Sequence, residues 1–463
     1  MKLKTNFFAL FLFFTFTQVA VSQVNSHYWS HQYGARGLLL NGSIIASVND
    51  ETAIFYNPGS MALTEEFGIS LSLITPTYSL LRTTDFLGEG TSFSNQGLDL
   101  SPGLVAAMFK PFGTDKITLG LTTFKRFKSE INVEDRTVSQ LESDSDQLFL
   151  GDLDFNRRLS ENWFGVGLSA RLSSKFAIGF TQFFTFRNER VGLNFKKEIL
   201  DKNNPANLIA GWRSNFDYGY SANGGMLTKF GFCWAPDFAK VGGTFTTHTY
   251  GVINRGANYA FDDQKIAFNG GNTSSSNDRS VELDNYHTPW SLGLGVEIPL
   301  DGSMLSISAE YFTQIKKYNL IDDVDDPLDG LAANPELTTV KIGQANGRVL
   351  NVGIGIERVW KKKYTWFYGF RTDFSPRSLF DLGEGITFLA STPNIYHLST
   401  GGAYSYRKSQ FSVGIDYGFG FKTGGKQLTD ITEISVENIF EFSGEDSVNT
   451  VVHQVSIYIT YDL

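Results

Sequence analysis

From about residue 67 onward the chain alternates apolar and polar residues. In SQFSVGIDYGFGF (409–421), Phe411, Val413, Ile415, Tyr417, Phe419 and Phe421 share one side, and Ser412, Gly414, Asp416, Gly418 and Gly420 the other. The stretch 303–311 sets Leu305, Ile307, Ala309 and Tyr311 opposite Ser306, Ser308 and Glu310. Likewise 350–357 sets Leu350, Val352, Ile354 and Ile356 opposite Asn351, Gly353, Gly355 and Glu357. A period of two marks β-strands with one face in an apolar medium. It predicts strands near 67–81, 100–110, 115–128, 162–172, 174–195, 216–233, 239–253, 287–299, 303–318, 345–360, 364–375, 396–407, 409–422 and 450–463.

The connections sort by length. Short turns fall at 111–116, 173–174, 235–239, 300–302, 361–363 and Lys408. Long stretches rich in Asp, Ser, Asn and Gly fall at 82–99, 129–161, 196–215, 254–286, 319–344, 376–395 and 423–449. An even strand count with short turns at one end and long loops at the other is the pattern of a transmembrane barrel. The expected fold class is therefore all-β, a 14-stranded antiparallel β-barrel whose apolar face meets lipid and whose Gly/Ser/Thr face lines a lumen. Trp360, Tyr364 and Trp366 beside Lys361–Lys363 suit an interfacial aromatic girdle.

The N-terminus changes the picture of where this barrel resides. Lys2 and Lys4, an apolar run from Phe7 to Phe16, and small residues at Ala20 and Ser22 read as a signal peptide over 1–22. The run is too short to span a bilayer as a helix. Without Lys2 and Lys4 the net charge falls from −9 to −11, which argues against a nucleic-acid partner. The lone Cys233, between Phe232 and Trp234, excludes an internal disulfide and reads as a packed thiol.

One segment ahead of the first strand does not alternate. NDETAIFYNPGSMAL (49–63) packs Ala53, Ile54, Phe55 and Tyr56 against Asn57-Pro58-Gly59. A barrel of this size encloses more space than its own side chains fill, and residues 23–63 are too apolar at 53–56 to remain in water. The expectation is a plug over 23–63, with the barrel at 64–463. Pro58 fixes φ and Gly59 frees it, which suits a tight turn, and Gly42 and Gly59 are candidate hinges.

Charged residues fall on inward positions. Arg171, Glu297 and Glu357 lie near short turns, whereas Glu310, Arg371 and Asp416 lie about seven residues past one, mid-barrel at roughly 3.3 Å per residue. Two readings stand: a charge network tying plug to wall, or an arginine, including Arg36, meeting a ligand carboxylate through its fork. The aspartates of LIDDVDDPLDGL (320–331) lack the ordered spacing of a calcium loop and read, like SDSDQ (143–147), as solvated loop. No metal or cofactor is expected. The six histidines stand by no nucleophile elbow or zinc-helix motif, so no catalytic residue is assigned.

The stretch YGARGLLLNGSIIASVNDETAIFYNPGSMAL (33–63) resembles the N-terminal plug of the FadL family of outer-membrane long-chain fatty-acid and aromatic-hydrocarbon transporters. Gly34, Arg36 and Gly37 match its start, Ala46 and Asn49-Asp50 its middle, and Asn57-Pro58 its end. Gly59 replaces the family's alanine. TPWSLGLGVEIPL (288–300) and FYGFRTDFSP (367–376) are similar to family strands. The resemblance implies a monomer in the outer membrane of a Gram-negative bacterium, taking up hydrophobic small molecules passively. The ligand would bind in an apolar pocket above the plug and exit sideways at a kinked strand three. KITLGLTTFKRF (116–127) has Gly120 but no proline, so no kink is visible in it. A second reading, from barrels of the same family, is a docking or shuttle partner in protein secretion.

Overall fold

A computed structural model describes residues 27–64 and 68–462, except 72–74, 102, 112–113, 142–145, 267–271, 323–340, 362, 377, 382–386, 391–392, 407–408, 426, 428–433, 435–438 and 441–446. The signal peptide reading, most of the acidic loop 320–331 and most of 143–147 thus lie outside the described residues. Two short helices, α1 (Ala35–Leu39) and α2 (Ala53–Tyr56), and a 3-10 turn (Pro58–Ala62) precede the strands. The wall begins with β1 (Ile69–Leu71), β2 (Thr75–Thr84), β3 (Ser92–Ser101) and β4 (Val105–Phe109). Four long strands follow: β5 (Ile117–Gln140), β6 (Gln147–Ser173), β7 (Phe176–Asp201) and β8 (Leu208–Trp234). After β9 (Lys240–Thr246) and β10 (Tyr250–Ile253), a hairpin of β11 (Ala257–Ile266) and β12 (Asn272–Val281) leans on β8. The wall resumes with β13 (Ser291–Leu300) and β14 (Ser303–Phe312). In the next stretch, β15 (Ile315–Asp322) and β16 (Lys341–Asn346) leave it, while β17 (Val349–Trp360) and β18 (Tyr364–Asp373) belong to it. β19 (Ser378–Asp381) and β20 (Thr387–Ala390) join β15 and β16 in a separate four-stranded sheet, and β21 (Ile395–Tyr406), β22 (Ser409–Gly425) and β23 (Val448–Asp462) complete the wall.

Neighbouring wall strands pair antiparallel, and the last closes on the first, with Thr77 opposite Ser456 and Thr84 opposite Asn449. Taking β1 with β2, β3 with β4 and β9 with β10 as interrupted single strands, the circuit among the described residues passes fourteen wall strands. Burial is inverted relative to a water-soluble sandwich. Val413 is 46% exposed and its neighbour Ser412 1%, and the same alternation holds for Ile457 and Ile459 against Ser456 and Tyr458. An apolar exterior over a small or polar interior requires lipid outside. Trp360, Tyr364 and Trp366 are exposed beside a short turn, with Lys361 Nζ 4.4 Å over the Trp360 ring.

The long polar stretches differ from expectation. Residues 129–161 and 196–215 were expected as loops, but most of them continue β5–β8 as strands of 24 to 27 residues, well beyond the roughly 9–11 needed to span a bilayer. Beyond the lipid belt the burial pattern reverses. Val133, Phe149, Leu153, Val191, Phe195 and Trp212 turn inward and form an apolar core, while Asp152 and Asp154 face out. With water outside, polar residues occupy the outer face, and cross-strand pairing outweighs their low strand propensity. Loops expected at 254–286 and 376–395 likewise contain β11–β12 and β19–β20.

Residues 27–64 lie inside the wall and touch β5 to β9, β13, β14, β17, β18 and β21 to β23. Inward positions at the contact are glycine: a Cβ on Gly179 would lie 2.4 Å from Pro58 O, on Gly231 2.2 Å from Asn57 Oδ1, on Gly242 2.5 Å from Ile45 O, and on Gly414 2.2 Å from Leu39 Cδ2. The backbone of the inner segment therefore rests directly on the backbone of the wall. Gly179→Val should displace the 58–62 turn at a cost of about 1–3 kcal/mol. Limited proteolysis in detergent should then cut within 27–64 while the heat-modifiable barrel persists. Gly402→Ala, whose nearest neighbours would be Trp366 at 3.6 Å and Thr365 O at 3.7 Å, ordinary contact distances, should change neither.

Candidate functional site

The inner segment is anchored at the motif singled out in the sequence. Asn57 Nδ2 donates to Ile45 O at 2.8 Å and to Phe232 O on β8 at 2.9 Å, while its Oδ1 accepts from Gly59 N at 3.0 Å. One amide thus caps the 3-10 turn and stitches two parts of the segment to the wall. Pro58 occupies the first position of that turn, where no N–H is needed. Gly59 differs from expectation: its φ is not in the left-handed region, and a Cβ there would strike Phe232 Cα at 2.6 Å. Close approach to the wall, rather than backbone freedom, requires glycine. Gly42, with φ 75°, and Asn41, with φ 52°, reverse the chain after α1. Tyr56 Oη accepts from Tyr33 N at 2.8 Å, and Phe55 meets Tyr33 and Phe124 edge-on at 5.1 and 5.0 Å.

Each inward charge has a protein partner. Arg36 Nε and Nη2 donate to Glu357 and Glu297, each at 2.8 Å, and Lys240 also reaches Glu297 at 3.0 Å. Arg371, 1% exposed, donates to Asn41 Oδ1 and lies 3.8 Å from Asp416, with His397 Nδ1 2.8 Å from the same carboxylate. Glu310 accepts from Trp29 Nε1 and Ser291 Oγ, both at 2.8 Å. Arg171 Nε donates to Ala62 O at 2.7 Å. The geometry is that of a network tying segment to wall. Both Arg36 and Arg371 are engaged by carboxylates of the chain itself.

A cavity open to solvent lies where the segment faces β5, β6, β8 and β14. Tyr28, Trp29, Phe55, Phe127, Trp163 and Phe312 supply its aromatic lining. Arg126, Lys229 and Glu310 supply charge. Lys229 Nζ donates to Phe55 O at 3.0 Å. Arg126 donates to Tyr28 O and stacks 4.8 Å over Phe127, and its Nη1 makes no hydrogen bond among the described residues. Neither cation was singled out in the sequence.

The cause of their position is a bulge. Lys125 pairs with Asn162 but Phe127 with Glu161, leaving Arg126 as the extra residue. Thr122, Phe124 and Arg126 face inward before it, and Phe127, Ser129 and Val133 after it. A one-residue insertion switches which parity faces in. Strand three thus carries a bulge without proline, while Gly120 makes room for Ile54 and Met61. Beside the bulge the wall has a seam. β4 pairs with β5 only over Val105–Phe109, and the described β3 has no ladder to β5. The two are joined by side chains, Lys128 to Asp99 and Asn95 Nδ2 to Asn132 O at 3.1 Å.

Asn57→Asp keeps the shape but replaces two N–H donors with a carboxylate facing two carbonyls. It should loosen the segment more than Asn57→Ala, each orphaned carbonyl costing about 1–3 kcal/mol; the rate of proteolysis within 27–64 reads both. Burial, reinforced by Arg126, lowers the pKa of His31 to about 4. A base depressed below its ordinary 6.5 leaves docking unaffected above that pH and weakens it as pH falls from 6.5 towards 4. The same assay should show a pH slope in that window that is shallower in His31→Gln.

No family model matches the chain, and no curated protein matches it in sequence. Solved structures do. The Pseudomonas putida toluene transporter TodX superposes with a TM-score of 0.57 at 13% identity, covering 96% of this chain and 99% of that one. A Pseudomonas aeruginosa FadL homologue gives 0.53 at 13%, covering 94% and 99%. The Ralstonia pickettii toluene transporter TbuX gives 0.50 at 12%, covering 93% and 98%. At such identities the likeness speaks to architecture, and over nearly its whole length the chain has the fold of the FadL-type channels.

Proposed function

We propose that the chain is an outer-membrane channel for passive uptake of hydrophobic small molecules, with residues 23–63 as its plug. The observation that carries this reading is the aromatic cavity between the inner segment and the wall, on the strand β5 that has no ladder to β3 among the described residues. Apolar surface binds an apolar solute, and Arg126, with an uncommitted nitrogen, is placed to meet a polar end. The solute enters from the long-strand end, occupies the cavity, and leaves sideways between β3 and β5 once Lys128–Asp99 parts. Arg36 and Arg371 hold plug to wall and do not bind cargo. Solved structures of the same fold include two toluene transporters and a FadL homologue, which supports a hydrophobic small-molecule cargo. They lend nothing to the docking-partner reading, nor to catalysis. The barrel acts as a monomer, without metal or cofactor.

Mass spectrometry of organic extracts from the purified protein tests this. Hydrophobic molecules should co-purify above the level of an unrelated barrel, and Trp163→Ala with Phe127→Ala should lower their recovery several-fold. An empty cavity together with a stoichiometric exported protein would overturn the transport reading. Asp99→Asn should raise the rate at which vesicles carrying the protein take up a hydrophobic fluorophore, because the seam loses its ion pair.

A further inference from the structure

The outer surface of β5–β7 carries a second feature that the channel reading does not use. Moving away from the short turns, the outward residues are first apolar: Leu121 on β5, Phe164 and Val166 on β6, Phe184 and Phe186 on β7, all exposed. The apolar run stops at nearly one level on all three strands. Register places Lys125 beside Asn162 and Phe186, then Lys128 beside Ser160 and Asn188, then Glu130 beside Arg158 and Arg190. All of these but Asn162 and Phe186 line a groove open to solvent, with the buried Leu159, Glu189 and Tyr220 at its floor.

Four cations, Lys125, Lys128, Arg158 and Arg190, border the groove, against one outward carboxylate, Glu130. Arg158 meets Glu130 at 2.9 Å and Arg190 meets Asp217 at 3.0 Å, yet the two arginines are 70% and 68% exposed. Lys128 pairs with Asp99, and Lys125 makes no ion pair among the described residues. Pairs this open to solvent hold their partners weakly, so the guanidinium forks remain available. Their level decides what they meet. Cations within an apolar belt are costly, but just past it they face lipid headgroups, and clustered Lys and Arg there attract anionic ones. The guanidinium fork matches phosphate.

We propose that this groove binds the phosphate-bearing headgroup of an outer-leaflet lipid. The proposal rests on the outer-membrane placement proposed above but not on the identity of the cargo. Docked there, the headgroup would lie against β5 at the level of the seam. To test it, the full chain is reconstituted with phosphorylated lipid A, and bound lipid is counted by native mass spectrometry. The same count is made for Lys125→Gln/Arg158→Gln/Arg190→Gln and for Lys175→Gln, a cation at the short-turn end. The triple variant should retain at least fivefold less lipid and Lys175→Gln the same as the parent, with dephosphorylated lipid A binding to neither. Equal retention by the triple variant, or of dephosphorylated lipid, overturns the proposal. Displacement of lipid A by inorganic phosphate alone would instead assign the groove to the free anion. Should the triple variant fail to assemble, Arg158→Gln and Arg190→Gln singly carry the same comparison. Co-purified cargo from the same samples reports on transport separately.

Discussion

A barrel of this size with lipid outside leaves a lumen that its wall side chains alone do not fill, and much of this structure answers that constraint. The inward face of the wall mixes glycine, serine, threonine and a few charges with buried aromatics such as Phe124, Trp163 and Phe183, and the residues of 27–64 pack against it. Residues 27–64 resolve this by contact at backbone distance. Where the wall presents Gly179, Gly231 and Gly242, the segment presents Pro58, Asn57 and Ile45. Asn57 and Arg171 then spend their donors on carbonyls that would otherwise be orphaned. Buried ion pairs add little net stability, because desolvation offsets their attraction. The Arg36–Glu297–Glu357 and Arg371–Asp416 groups are better understood as fixing one position of the segment against the wall.

The bulge at Arg126 links this packing to chemistry. Because the parity switches there, two adjacent residues, Arg126 and Phe127, both turn inward and edge the cavity. The same irregularity lies on β5, which also borders the described β3 without a ladder, so the cavity and the seam share that strand. Side-chain links such as Asp99–Lys128 separate more readily than a β-ladder, so the sideways exit proposed above would leave the Asn57 anchor in place.

Much of the fold was legible because lipid outside and a small-residue lumen inside impose strict alternation, as in 409–421. Asn57-Pro58 stood out because the alternation failed there. The extensions of β5–β8 were hidden because the apolar face moves from outside to inside once the strands leave the membrane. Composition around Asp152 and Asp154 therefore imitates a loop. The bulge does leave a trace in the sequence, where apolar residues shift from even Phe124 to odd Phe127, Ile131 and Val133, although no proline marks it. His397 was passed over because its partners, Arg371 and Asp416, lie on neighbouring strands. Gly59 was assigned conformational freedom when the reason for glycine lay across the lumen in Phe232, a contact invisible along the chain.

The central claim is that residues 23–63 close the lumen. Ion conductance across planar bilayers, measured for the intact chain beside one lacking 24–63, tests it most directly. The account predicts small or no steady conductance for the intact chain and a large, stable one for the deletion. Equal conductance from the two, at either level, would contradict it.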